Sequence, residues 1–488
     1  MKLNNGFTVF AFLALTAATT AAHADTPPPA PYGPVPSPKQ LAWQENELTM
    51  FCHFGMDTFT GRSIGTGQED PDTFDPTDLD CDQWVAVAKA CGFRGIILTC
   101  KHHDGFCLWP TKTTKHSVAF SKWENGKGDV VRDCSDACRK GGILFGVYCS
   151  PYDLNAPSFT ADPPAYNKMY RQQLTELLTG YGPVFEMWLD GNHAGSIVQF
   201  PQIIATIRKC QPDAIIKEGP PLRPVIEDIR WVGNERAIAP LTNWSLYPPP
   251  GPRGEAAGAL WFPVECDIPM VGNWFWNDTP PLSLDRLLDI YYKSVGRNSE
   301  LLLNVAPDKE GKLSDDSVKR LHEFHDALQK IFGNDLAEGK PAVASNVRGG
   351  NVNFAAANAV DGRDSTYWAT DDKVSSASLT VDLGGPTRFN VIGTKEAIIL
   401  GQRVEQYEID ALENGKWTLV ASGTTIGYRK LDRFPAVTAT KVRLTIEKSL
   451  ACPVICGFSV YDDTVSPPES FLPANALQDA KPKRKGAA

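Results

Sequence analysis

Between residues 48 and 305, short apolar runs alternate with amphipathic stretches. The runs are LTMFCHFG, RGIILTCKHHDG, GILFGVYCSP, VFEMWLDGN, AIIKEG, IRWVGNE, ALWFPVECD and ELLLNVAP. Three of the stretches between them, DQWVAVAKACG, DVVRDCSDACRKGG and FPQIIATIRKCQP, carry apolar residues at helical spacing, and each stops at Gly or Pro. Apolar runs this short, alternating with helices, read as buried strands paired in parallel. Eight of them in ~260 residues predict an α/β fold, a (β/α)8-like barrel. Polar residues stand at the downstream ends of the runs: His53, His102, His103, Tyr148, Asp190, Glu218, Glu235, Glu265 and Asn304. In such a barrel those ends converge on one face, where active sites form.

After a helix near 314–331 the pattern changes period. SLTVDLGG, RFNVIGTKEA, QYEIDALENGKWTLVASG and KVRLTIEKS alternate apolar and polar positions. Together they predict an antiparallel β-sandwich, or jelly roll, with an Asn-Gly hairpin turn inside ENGKW. The expected organisation is a barrel over 41–335, a sandwich over 340–463 and a flexible tail over 464–488. The first 24 residues read as an export signal: Lys2, the apolar FTVFAFLALTAATTAA and the small-residue site AHA before Asp25. That segment is too short for a membrane span, and no other run approaches one. A periplasmic or secreted location follows as an expectation, with 25–40 as a Pro-rich lead-in to the fold.

Composition narrows the function classes. The chain has 488 residues, 42% of them hydrophobic, enough for a large core beside a smaller domain. The net charge of −9 excludes a broad nucleic-acid footprint, and the short KPKRK near the end reads as a solvated terminus. Twelve cysteines in an exported chain raise the question of disulfides, but Cys52, Cys100 and Cys149 lie inside apolar runs and no zinc-type CxxC pair exists. Cys452 with Cys456 is the first pair to check.

Three features carry chemistry. Asp190 follows a buried run in FEMWLDGN; besides capping a turn, a carboxylate there can attack an anomeric carbon. His53, His102 and His103 stand at neighbouring strand ends and suit sugar hydroxyls. With Asp190 they also make a metal-hydrolase alternative, weakened because adjacent residues on a strand point to opposite sides. Trp109, Trp188, Trp274, Phe275 and Trp276 lie near the same loops, and aromatic rings stack on the apolar face of a sugar. Three aromatics in a row in GNWFWND are not expected to be core. Glycoside cleavage needs a second carboxylate. Glu235, Glu265 and Glu218 are candidates that composition does not rank, and Glu69 in the loop after strand one is placed to bind a hydroxyl.

Taken together, FCHFGMDTFTG, TCKHHDGFCLWPTKTTKHSV, GVYCSP, MWLDGN, RWVGNE, NWFW and LLLNVAPDKEGKL resemble the family 29 α-L-fucosidases over residues 40 to 335. The resemblance implies a retaining exo-α-L-fucosidase with Asp190 as nucleophile. It implies sugar contacts from His53, Glu69, His102, His103, Trp109, Tyr148, Trp188 and the aromatics Trp274 and Trp276. The RWVGNE form resembles the subgroup acting on α-1,3/1,4-linked fucose of branched, Lewis-type glycans. There its final glutamate is the acid/base, which selects Glu235, with Glu265 as runner-up. The resemblance further implies no cofactor, no metal requirement, and fucosylated oligosaccharides or glycoconjugates as partners. NAVDGRDSTYWATDD with VDLGG resembles discoidin or factor 5/8 type C modules. Such a module implies a second glycan contact or a prop for the barrel. The alternatives are a metal-dependent barrel hydrolase using His53, His102, His103 and Asp190, and a non-catalytic glycan-binding protein.

Overall fold

The computed structural model describes residues 26–191, 194–217, 227–250, 258 and 260–471. The export signal and Glu218 lie outside the described residues. Eight parallel strands follow one another around a barrel: β1 (Leu48–Cys52), β2 (Gly95–Lys101), β3 (Leu144–Cys149), β4 (Glu186–Trp188), β5 (Ile215–Lys217), β6 (Arg230–Trp231), β7 (Val264–Pro269) and β8 (Ser299–Asn304). The order is β5-β4-β3-β2-β1-β8-β7-β6. An isolated parallel bridge between Lys217 and Ile229 brings the two ends together. β1 and β2 are buried at every position, as expected of strands covered on both faces.

The helices begin where side chains satisfy the first free N–H groups. Asp80 accepts from Gln83 N at 2.8 Å and Asp129 from Arg132 N at 2.9 Å, starting the helices Cys81–Ala90 and Val130–Gly141. Phe200–Cys210 and Asp315–Phe332 are also helical, as their apolar spacing predicts.

The run ALWFPVECD is not one strand. Leu260–Trp261 pairs antiparallel with Leu246–Tyr247 in a separate ladder, and β7 starts afresh at Val264. Glu265 therefore stands at the upstream end of β7, not at the downstream end that the run implied.

The C-terminal part is an antiparallel jelly-roll sandwich: β9 (Ala342–Ala344), β10 (Trp368–Ala369), β11 (Ala377–Glu396), β12 (Val404–Glu413), β13 (Lys416–Gly423), β14 (Lys430–Ser449) and β15 (Val454–Tyr461). Alternation is clean in β11, where Leu379, Val381 and Leu383 are buried and the residues between them are not. Asn414 and Gly415 both take positive φ between β12 and β13, the mark of a two-residue primed turn.

The sandwich is tied to the barrel. Arg429 pairs with Glu47 at 2.7 Å, Arg433 with Asp289 at 2.9 Å, and the Tyr292 hydroxyl donates to Asp463 at 2.9 Å. The lead-in runs along the sandwich: Tyr32 N donates to Leu400 O, and Arg348 and Arg403 donate to the carbonyls of Pro27 and Ala30. The start of the expected tail is held to the fold, because Ser466 and Phe471 are buried, Phe471 against the barrel core; its remainder, 472–488, lies outside the described residues. All twelve cysteines are free thiols. Cys452 receives an Arg403 N–H at 3.2 Å rather than bonding to Cys456. Among the described residues no helix is long and apolar enough to cross a membrane.

Candidate active site

The downstream ends of the barrel strands enclose a cavity of about 410 Å³. His53 follows β1, His102 and His103 follow β2, Tyr148 lies near the end of β3, and Asp190 comes two residues after β4. Lys217 ends β5, Trp231 ends β6, Glu235 sits in the turn beyond it, and Asp267 lies on β7. Trp188 and Trp274 complete the wall. The cavity thus collects most of the predicted residues from separate stretches of chain.

Asp190 is the most constrained of them. Its Oδ2 accepts from the Tyr148 hydroxyl at 3.2 Å and stands 3.4 Å from His103 Nε2. Burial by itself would push this carboxyl up. The hydrogen bond and field of His103, with the fields of Lys217 and His102, outweigh burial and hold it well below the usual carboxylate range. An ionised carboxylate in a protected cavity is the form a nucleophile needs. Burial raises the Tyr148 phenol well above its ordinary value, and the Asp190 charge adds to this, so Tyr148 stays a donor. His103 is itself oriented by Ser150 Oγ at 2.7 Å from Nδ1.

His53 faces the cavity with one ring nitrogen, Nδ1, 2.9 Å from Asn304 Oδ1. Asn304 in turn donates to Trp274 O at 2.6 Å, which couples the end of β8 to the aromatic loop. Burial holds the His53 imidazole well below its ordinary range, so it is neutral. His102 and His103 both line the cavity, with ring centroids 4.3 Å apart. The chain has left the strand by residue 102, so strand alternation does not separate them.

Five of the expected residues lie elsewhere. Trp109 is buried, with its indole N–H turned to Glu176 on the helix Pro163–Gly180 at 3.0 Å. Glu69 closes its own loop, where its Oε1 accepts from Thr66 N and Thr66 Oγ1. The same loop lines the cavity with Ser63 and Ile64 instead. Of the three aromatics in NWFW only Trp274 lines the cavity, beside Asn273. Phe275 is fully buried behind His53 and His102, against the expectation that these aromatics avoid the core, and Trp276 does not line the site. Glu265 is fully buried beneath the cavity, on the same inward side of β7 as Asp267 but two residues upstream.

Lys217 and Asp267 were not expected. Lys217 Nζ stands 3.2 Å from the centroid of Trp188. Asp267 Oδ1 accepts from Trp231 Nε1 at 2.7 Å, and burial pushes its carboxyl up to about 7. The signal for both was in the chain: a charged residue at the end of AIIK, and a second acid two places beyond Glu265 in VECD.

The metal-hydrolase alternative gains little from this geometry. Among the described residues His53, His102, His103 and Asp190 do not bring three donor atoms within 4.8 Å of one another. Among the described residues the three-donor grouping is Asp57, His102 and Asp104, with one atom each within 4.8 Å of the others.

The model of the family described as alpha-L-fucosidase matches residues 42–331, and that of the F5/8 type C domain matches 341–455. A rice protein (Oryza sativa subsp. japonica) provisionally named alpha-L-fucosidase 1 is 41% identical over 92% of this chain and 89% of its own. Alpha-L-fucosidase 1 of Arabidopsis thaliana is 37% identical over 94% of each chain. The structure of a Ruminococcus gnavus family 29 fucosidase in complex with fucose superposes with a TM-score of 0.82 at 31% identity, covering 90% of this chain and 98% of that one. With its barrel, its cavity and these likenesses, the chain belongs to the α-L-fucosidase family of glycoside hydrolases, family 29, and carries an F5/8 type C domain.

Proposed function

We propose that this α-L-fucosidase is a retaining exo-enzyme that removes terminal α-1,3/1,4-linked L-fucose from branched, Lewis-type oligosaccharides or glycoconjugates. One observation carries the reading: Asp190, held ionised, and Glu235, exposed in a turn, line the same cavity. In the first step an Asp190 oxygen attacks the anomeric carbon while the Glu235 carboxyl gives its proton to the departing glycosidic oxygen. In the second, Glu235 takes a proton from water, whose oxygen displaces Asp190 from the fucosyl-enzyme. Two inversions at one carbon amount to retention. His53, His102 and His103 hold the sugar hydroxyls, and Trp274 receives its apolar face.

The floor of Phe51 and Trp188 closes the cavity below, which suits a chain end rather than a chain interior. The linkage preference rests on the RWVGNE form, whose Trp231 and Glu235 both line the cavity. Export to the periplasm or beyond is part of the same proposal. So is a second glycan contact on the sandwich, at a surface hollow lined by Asn353, Phe354, Asn358, Arg363 and Tyr367.

The test is release of fucose by the mature chain from α-1,2-, α-1,3- and α-1,4-linked oligosaccharides, with and without EDTA. Release from the branched 1,3- and 1,4-linked substrates, undiminished by EDTA, is expected. Preference for the α-1,2 linkage overturns the linkage assignment, and loss of activity in EDTA overturns the metal-free mechanism.

A further inference from the structure

Three glutamates lie inside the barrel beneath the cavity: Glu186 on β4, Glu265 on β7 and Glu300 on β8, where Glu300 is the register partner of Glu265. None lines the cavity. Carboxyls in such a place are costly unless paired. Glu265 Oε1 accepts from Trp188 Nε1 at 2.9 Å, and Glu186 Oε2 accepts from Trp43 Nε1 at 2.8 Å. The remaining oxygens, Glu265 Oε2 and Glu186 Oε1, meet no N–H or O–H from another residue. The two carboxyls act on each other's protonation, and one proton held between these two oxygens would give both a partner. Burial and mutual repulsion raise the carboxyl of Glu186, and burial raises that of Glu265, which agrees with a retained proton.

Trp188 is the part of the active site that this pair grips. Its edge is fixed by Glu265, and its face is covered by Lys217 Nζ at 3.2 Å. Tyr148 stacks on it with centroids 5.3 Å apart and planes at 29°, and Tyr148 donates to Asp190. A chain of contacts thus runs from Glu186 through Glu265, Trp188 and Tyr148 to Asp190. We propose that Glu265 is a positioning residue: from beneath the cavity it fixes the Trp188 indole, and through Trp188 it holds Tyr148 and Asp190 in the reacting geometry. This gives Glu265 a role distinct from proton donation to the leaving group. It rests on the fucosidase reading above.

Four substitutions, one pair of them also combined, test it on an activated aryl fucoside. Gln at 265 can accept from Trp188 and donate to Glu186, so Glu265→Gln keeps kcat/KM within about threefold of wild type. Glu265→Leu releases the indole, and small displacements of a reacting group cost about 100-fold. The loss is expected in kcat, with KM little changed and no rescue by azide, whereas Glu235→Ala is rescued by azide. In a Trp188→Phe background, which has no N–H to hold, Glu265→Leu adds less than about threefold. Azide rescue of Glu265→Leu, or fully additive losses in the double variant, overturns the inference. Should Glu265→Leu not fold, Glu265→Gln decides, and a kcat loss above about tenfold in that folded variant also overturns it. A wild type that releases no fucose from the branched α-1,3- and α-1,4-linked oligosaccharides would overturn the fucosidase reading itself. An active wild type with additive losses overturns the positioning role alone.

Discussion

At Asp190 two influences oppose each other. Burial favours the neutral acid, and the His103 hydrogen bond, aided by Lys217 and His102, favours the carboxylate and prevails. A depressed carboxyl stays ionised above its own low value and takes up a proton only as the pH falls through it, so the acidic limb of kcat/KM lies low. His103→Gln keeps an N–H donor beside Asp190 but removes the imidazole field. The carboxyl then rises, and the acidic limb moves to higher pH by about one unit. Measurement of kcat/KM against pH checks this, and an unmoved limb would show that His103 does not set the charge of Asp190. Lys217 shows why single residues are hard to read from a chain. It looks like the polar end of a short strand, yet in space it faces Trp188, Asp190 and Asp267 at once.

Among the elements, the strands most legible in the sequence were those buried on both faces. β1, β2, β3 and β8 coincide with continuous apolar runs, and three helices with runs of helical spacing that end at Gly or Pro. Legibility failed where a run concealed a break. Pro263 separates the short Leu260–Trp261 ladder from β7, so Glu265 falls one layer lower than the run implied. It failed again in loops, whose side chains take long-range partners that spacing does not reveal: Trp109 reaches Glu176, and Phe275 tucks behind the histidines. The element that joins the domains is the start of β14 with the residue before it. Arg429 Nη1 meets both oxygens of a largely buried Glu47 at 2.8 and 2.7 Å. Burial raises the Glu47 carboxyl, and Arg429 more than offsets it. Arg429→Met strands that charge at a cost of about 2 kcal/mol, allowing for partial exposure. The loss is full at neutral pH and shrinks as the pH falls below about 4.3, where the unfolded chain also protonates Glu47. Urea unfolding at two pH values measures it, and equal losses at both would contradict the pairing.

For the molecule as a whole, the sandwich serves the barrel by contact. Ion pairs, the Tyr292–Asp463 bond, the lead-in and buried Phe471 bind the two into one body, with the cavity at the far ends of the strands from the loop carrying Glu47. Inside that body, seven of the eight strand regions line the cavity, with Asn304 of β8 held against His53, and in the proposed chemistry one acid among them carries the sugar covalently. The most direct measurement is trapping with a 2-deoxy-2-fluoro fucosyl fluoride, followed by proteolysis and mass mapping. The fluorofucosyl mass is expected on the peptide containing Asp190, at that residue. A label on any other residue, or turnover with an inverted anomer and no label, would contradict the account.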